Sequence, residues 1–103
     1  MPIETYAISD QVFTWDRSKN LSNIEKHGIS FRNAASAFFD PNATTIDDKA
    51  HSYNEDRFLL IGFSEKNQIL TVCHCYREDD ALIRIISARK ATKVEQTLYG
   101  GVK

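Results

Sequence analysis

Apolar residues recur with two different periods along this chain, and each change of period marks an element. The lead-in from Met1 to Asp10 is mixed and shows no clear period. Val12 to Trp15 reads as a short strand. Asp16 is a good N-cap, because its side chain can accept bonds from the first free amides of a helix. The helix it opens carries Leu21 and Ile24 three apart, and Gly28 stands where a helix commonly turns off in the left-handed conformation. Ser30 caps a second helix. Phe31, Ala34, Ala35, Phe38 and Phe39 follow at i, i+3, i+4, i+7 and i+8, a full apolar stripe. Asp40-Pro41-Asn42 ends it. The two helices are expected to form an α-hairpin with one shared apolar face, and the aromatic stripe reads as core rather than as a ligand box.

From Ala43 onward the period shortens to two. Ala43 to Ile46 is strand-like, and Asp47 to Glu55 is a polar loop. Arg57 to Ser64 is apolar on both faces, as a central, doubly covered strand should be. Glu65 to Gln68 is a turn. The strand from Ile69 to Tyr76 places Leu70, Val72, His74 and Tyr76 on one face. Glu78-Asp79-Asp80 is a second turn, without the glycine that eases tight reversals. Leu82 to Arg89 is the last strand. Thr92 and Glu95 form a capping box for a short closing helix that ends at Gly100-Gly101. The predicted order is β-α-α-β-β-β-β-α. Short links between the later strands imply antiparallel hairpins. The fold class is α+β: a mostly antiparallel sheet packed against an N-terminal α-hairpin and a short C-terminal helix.

The length of 103 residues suits a single domain over 1–103 with one modest core. The longest apolar strand run, Phe58 to Phe63, is far short of the ~20 residues of a spanning helix. The N-terminus lacks a basic start followed by an apolar stretch. The expected location is therefore the cytoplasm, with no membrane partner. A net charge of −1 is unlike a typical nucleic-acid binder. The charge is uneven, however. Five acids and one lysine lie between Asp40 and Asp56, whereas five basic residues and only Glu95 follow from Arg84 to the end. That distribution leaves room for a local basic face. Cys73 and Cys75 flank His74. On a strand both sulfurs point one way and the imidazole the other, which is a poor zinc site. No metal or other cofactor is expected, and the cysteines read as small buried hydrophobes.

The last strand carries the candidate chemistry. Simple alternation puts Leu82, Arg84, Ile86 and Ala88 on one face and Ile83, Ile85, Ser87 and Arg89 on the other. Arg84 lies among isoleucines, so either an acid such as Glu55, Asp56 or Glu95 pairs with it or it lines a cleft. His74 and Tyr76 stand on the preceding strand, and Arg57 begins the strand before that. Histidine, tyrosine and several arginines without a metal cluster suit RNA cleavage by the adjacent 2′-hydroxyl. That reaction needs a base, an acid, and cations for the charged phosphorane. Each residue also has a structural reading. His74 can be a hydrogen-bonded structural histidine, Glu95 a helix cap, Tyr99 a packing residue, and His27 a C-terminal cap.

Phe13-Thr14-Trp15-Asp16, Lys19, Asn20, Lys26-His27-Gly28-Ile29-Ser30-Phe31, Ala34-Ala35 and Phe38 resemble the opening of the BrnT toxin family. Asp47, His51-Ser52, Glu55-Asp56-Arg57-Phe58 and Gly62 resemble its middle. Arg84-Ile85-Ile86-Ser87-Ala88-Arg89-Lys90-Ala91-Thr92, Glu95 and Tyr99 resemble its end. The likeness covers residues 13 to 99, leaving the first ten or so outside it. It implies a RelE-like fold and a metal-independent endoribonuclease that arrests translation. It also implies a BrnA-type antitoxin with a ribbon-helix-helix part, through which alone the pair would meet operator DNA and repress its own operon. Within the matched motifs, Arg57, Arg84 and Arg89 are the candidates for phosphate and transition-state charge. His74 and Glu55 are acid–base candidates, and Lys19, Lys26 and Lys90 are candidates for RNA contact. A catalytically inactive, toxin-like binding module or co-repressor is the alternative.

Overall fold

The computed structural model describes residues 2–51 and 55–100. The strands among the described residues are β1 (Ile3–Ile8), β2 (Gln11–Asp16), β3 (Thr44–Asp47), β4 (Phe58–Phe63), β5 (Ile69–Arg77) and β6 (Leu82–Lys90). The helices are α1 (Arg17–His27), α2 (Phe31–Ser36) and α3 (Lys93–Leu98), with single 3₁₀ turns at Ala37–Phe39 and Lys49–His51. Ser52 and Gly101 lie outside the described residues. All six strands form one sheet in the order β1-β2-β6-β5-β4-β3. Neighbours are antiparallel except β2 and β6, which run parallel. The class is α+β, as expected, but the order gains a strand at the start.

That strand, β1, comes from the lead-in. Its half-buried positions are Glu4, Tyr6 and Ile8, alternating with exposed Ile3, Thr5 and Ala7. A glutamate on the inward side hides the period of two. It is held there by the Trp15 indole, whose Nε1 donates to the Glu4 carboxylate at 2.8 Å.

The caps form as the sequence indicates. Asp16 accepts from the amides of Ser18 and Lys19 at 2.8 and 3.3 Å. Gly28 adopts φ 72°, and its N–H closes α1 on the Ile24 carbonyl at 2.7 Å. Ser30 accepts from the Asn33 amide, and Thr92 and Glu95 form a reciprocal capping box. The shared apolar face of an α-hairpin does not form, however. Leu21 and Ile24 are 57% and 40% exposed, and α1 instead turns Asn23 inward, 6% exposed. The reason lies in β6. β2 pairs with only Leu82 to Arg84 and then leaves for α1, so the backbone of Ala88 has no strand on that side. Asn23 replaces one. Its Nδ2 donates to the carbonyls of Ala88 and Ile29, both at 2.8 Å, and its Oδ1 accepts from the Ala88 amide at 3.1 Å.

The stripe of α2 is core through its first turns. Phe31, Ala34 and Ala35 are fully buried against Phe13, Trp15, Leu70, Val72, Ile83, Ile85 and Ala88. The last turn tightens to 3₁₀, which rotates Phe39 outward to 46% exposure. β4 is not the central strand; β5 and β6 are. It is apolar on both faces because it is covered on both. Gly62 lies so close beneath the 3₁₀ turn that a Cβ would stand 2.9 Å from the Ala37 carbonyl oxygen. On the other face the Tyr99 ring meets Phe63 edge-on at 5.4 Å. The glycine-free turn after β5 does force Glu78, Asp79 and Asp80 to positive φ, 53°, 53° and 71°. No helix among the described residues is long and apolar enough to cross a membrane.

Candidate active site

α1 and α2 cover one face of the sheet and leave the other for chemistry. Which side chains reach that open face is decided by one irregularity. β5 and β6 pair as Val72↔Ala88 and Cys73↔Ser87, then as His74↔Ile85 and Cys75↔Arg84. Ile86 has no partner, so the strand carries a β-bulge that shifts its alternation by one residue. Ile83, Ile85 and Ala88 all enter the core. Arg84 and Arg89, which simple alternation assigns to opposite faces, therefore share the open one. Their neighbours there are Thr71, Cys73 and Cys75 of β5 and Leu59 of β4.

A cleft of about 290 Å³ opens on this face, lined by Asp48, Arg57, Leu59, Thr71, Cys73, Ile86, Ser87 and Arg89. Its lining combines apolar Leu59, Cys73 and Ile86 with the guanidiniums of Arg57 and Arg89, the Asp48 carboxylate and the hydroxyls of Thr71 and Ser87. Arg89 is held by Glu95, with Nη1 to Oε1 at 2.6 Å and Nη2 to Oε2 at 2.8 Å. That pairing draws the Glu95 carboxyl down to about 2. Along the same face Arg77 grips Glu55 in the same manner, at 2.6 and 3.3 Å, and draws it down to about 2. Arg84 makes no ion pair or side-chain hydrogen bond among the described residues, so of its two expected settings the pairing with Glu55, Asp56 or Glu95 does not form. Burial pushes both thiols up, to about 11. Neither is a nucleophile near neutrality.

His74 does not join the arginines. It lies on the helix-covered face, fully buried, between Phe38 at 4.7 Å, Tyr76 at 5.5 Å and Phe58 at 6.0 Å. Its Nδ1 lies 3.0 Å from the Val72 carbonyl and so acts as donor, which leaves Nε2 bare; that nitrogen has no partner among the described residues. Burial lowers its pKa from 6.5. The folded protein thus binds fewer protons than the unfolded chain below pH 6.5, and stability complete above that value is lost as pH falls. We expect a decline of up to ~1.4 kcal/mol per pH unit as the pH falls below 6.5. The Glu55 and Glu95 pairs lose their contribution only below their unfolded value of 4.5. His74→Phe should flatten the decline; a thermal midpoint equal at pH 7 and 5 in the wild type would refute it.

Lys19 and Lys26 are exposed on α1, and Lys90 pairs with Leu70, whose side chain enters the helix-side core. None of the three stands on the arginine face. The sequence reading also passed over Asp48, Thr71 and Arg77. For Arg77 the signal was there, because it shares the parity of Cys73 and Cys75. For Asp48 there was none, because it comes from a loop. Among the described residues no group of three or more histidines, cysteines or acids is placed to hold a metal ion.

The family model described as "Ribonuclease toxin, BrnT, of type II toxin-antitoxin system" matches residues 15–95. No curated protein matches the chain. The matched span takes in Asp48, Arg57, Thr71, Cys73, Arg84, Arg89 and Glu95, and it covers most of the sequence. The protein belongs to the BrnT family of ribonuclease toxins of type II toxin–antitoxin systems.

Proposed function

We propose that this chain is an endoribonuclease that cleaves RNA by attack of the 2′-hydroxyl on the adjacent phosphate, with the open-face arginines as its electrostatic machinery. The observation that carries this reading is the bulge at Ile86, which gathers Arg84 and Arg89 on the face that holds Arg57. The planar forks of Arg57 and Arg89 at the cleft, with Arg84 further along the same face, suit the oxygens of an RNA backbone, whose negative charge grows in the phosphorane. The apolar side chains of Leu59, Cys73 and Ile86 in the lining suit a base or ribose.

In this reading His74 supports the core from the other face. Glu55, ionised far below its ordinary range, orients Arg77 and is a weak base. Lys19, Lys26 and Lys90 would reach only RNA that wraps past the sheet edge. The reading includes the RelE-like fold, a cytoplasmic setting, arrest of translation, and a BrnA-type antitoxin that covers the toxin and binds operator DNA for both.

The test is cleavage of total RNA by the purified protein with excess chelator present, with the ends of the fragments identified. We expect 2′,3′-cyclic phosphate and 5′-hydroxyl ends. One feature favours the inactive binding module instead: Arg89 and Arg77 are each already engaged by a carboxylate. A folded protein that leaves RNA intact with or without metal, and whose expression does not arrest growth, would establish that second reading.

A further inference from the structure

We infer that Glu95 is the positioning residue of this cleft, fixing the guanidinium of Arg89 and tying the last helix to it. The inference rests on the arginine reading above. A capping box asks little of its third residue, which need only accept from the N-cap amide, and glutamine serves as well as glutamate. Glu95 does far more. Its Oε1 accepts from the Thr92 amide at 2.9 Å, from the Thr71 hydroxyl on β5 at 2.9 Å and from Arg89 Nη1 on β6 at 2.6 Å. Its Oε2 takes Arg89 Nη2 at 2.8 Å. One carboxylate thus joins α3 to two strands of the sheet.

The burial is uneven in a telling way. The Glu95 side chain is 14% exposed, whereas that of Arg89 is 39% exposed and borders the cleft. The acid lies beneath and the guanidinium faces outward. Two of its five N–H donors are committed, and among the described residues nothing takes the others, which can meet a ligand. A long arginine chain otherwise samples many rotamers. Held at two points it meets a phosphate with its orientation already set, the condition under which fixed donors stabilise developing charge without reorganising. α3 itself has no buried residue and stands on few contacts, so the carboxylate also holds the helix to the sheet.

Three variants separate positioning from capping. Thr92→Ala removes the cap's hydroxyl and leaves the Arg89 fork. Glu95→Gln keeps the capping acceptor but loses the charge and one arm of the fork. Arg89→Ala removes the arginine. Each is assayed for RNA cleavage well below its own thermal midpoint. We expect Thr92→Ala to lower the midpoint while kcat stays within about twofold. Glu95→Gln should lower kcat by about tenfold or more with a smaller change in KM, and adding it to Arg89→Ala should cost nothing further. Wild-type kcat in Glu95→Gln beside an impaired Arg89→Ala would overturn the inference and leave the ribonuclease reading intact. A raised kcat in Glu95→Gln would show that the acid sequesters the arginine, and would also overturn it. A wild type that cleaves no RNA, or an Arg89→Ala variant at full activity, would instead remove the arginine reading on which the inference stands.

Discussion

Replacing Arg84 with alanine is expected to slow RNA cleavage by about a hundredfold or more, equivalent to ~3 kcal/mol of transition-state stabilisation, and to leave folding almost untouched. The two halves of that expectation have one origin. Arg84 stands on β6 opposite Cys75 and beside Thr14, on the open face, and is part of no ion pair among the described residues. Its removal strands no buried acid and breaks no network, so the stability change should be within about 0.5 kcal/mol, as for other substitutions away from such features. Arg77 and Arg89 differ in this respect, because alanine at either would release a carboxylate. Arg84→Lys should recover only part of the activity, since an ammonium cannot offer two parallel N–H groups to a phosphate. Single-turnover cleavage together with thermal melting checks both halves. Wild-type cleavage by Arg84→Ala would place this arginine outside the site, and an unfolded variant would make it a structural residue.

Asn23→Ala is expected to destabilise the protein by about 3 kcal/mol without touching the cleft. Three backbone groups depend on this one side chain: the Ala88 amide, the Ala88 carbonyl and the Ile29 carbonyl. A buried polar group left unsatisfied costs ~1–3 kcal/mol. Against this, alanine improves helix propensity by roughly 0.6 kcal/mol, and some water can enter where the side chain was. Asn23→Asp should be worse, because a carboxylate would face two carbonyl oxygens with nothing to donate. Urea denaturation measures the difference directly. A loss below 1 kcal/mol for Asn23→Ala would mean that the β6 backbone finds other partners and that the bridge is incidental.

Much of this fold can be read along the chain, and what could not be read has identifiable causes. Caps are local, so Asp16, Ser30, Gly28 and the pair Thr92 and Glu95 declare themselves. Hairpins with short links do too, hence β4, β5 and β6. The failures came from polar residues doing the work of apolar ones. Glu4 on the inward side of β1 conceals a strand, and Asn23 on the inward side of α1 reverses the expected orientation of Leu21 and Ile24. The site was half legible. Arg57, Arg84 and Arg89 were recognised as residue types, but the face that Arg84 and Arg89 share depends on the unpaired Ile86, and a strict period of two puts those two apart. The pairing of Arg89 with Glu95 depends on α3 folding back over β5, which no local pattern encodes.

The parallel contact between β2 and β6 has a bearing on when the protein becomes what it is. Val12 to Thr14 pair with Leu82 to Arg84, so the sheet closes only when residues 70 positions apart meet. Loop closure over such a span costs entropy before any contact repays it, and folds dominated by such contacts form slowly. On the ribosome, β1, β2, α1 and α2 emerge first and expose Phe13, Trp15 and Phe31 with no β6 to cover them. The strand that closes the core also delivers Arg84 and Arg89. The site therefore cannot assemble before β6 and the α3 that follows it are in place, and in the ribonuclease reading a chain cut short of β6 should cleave no RNA.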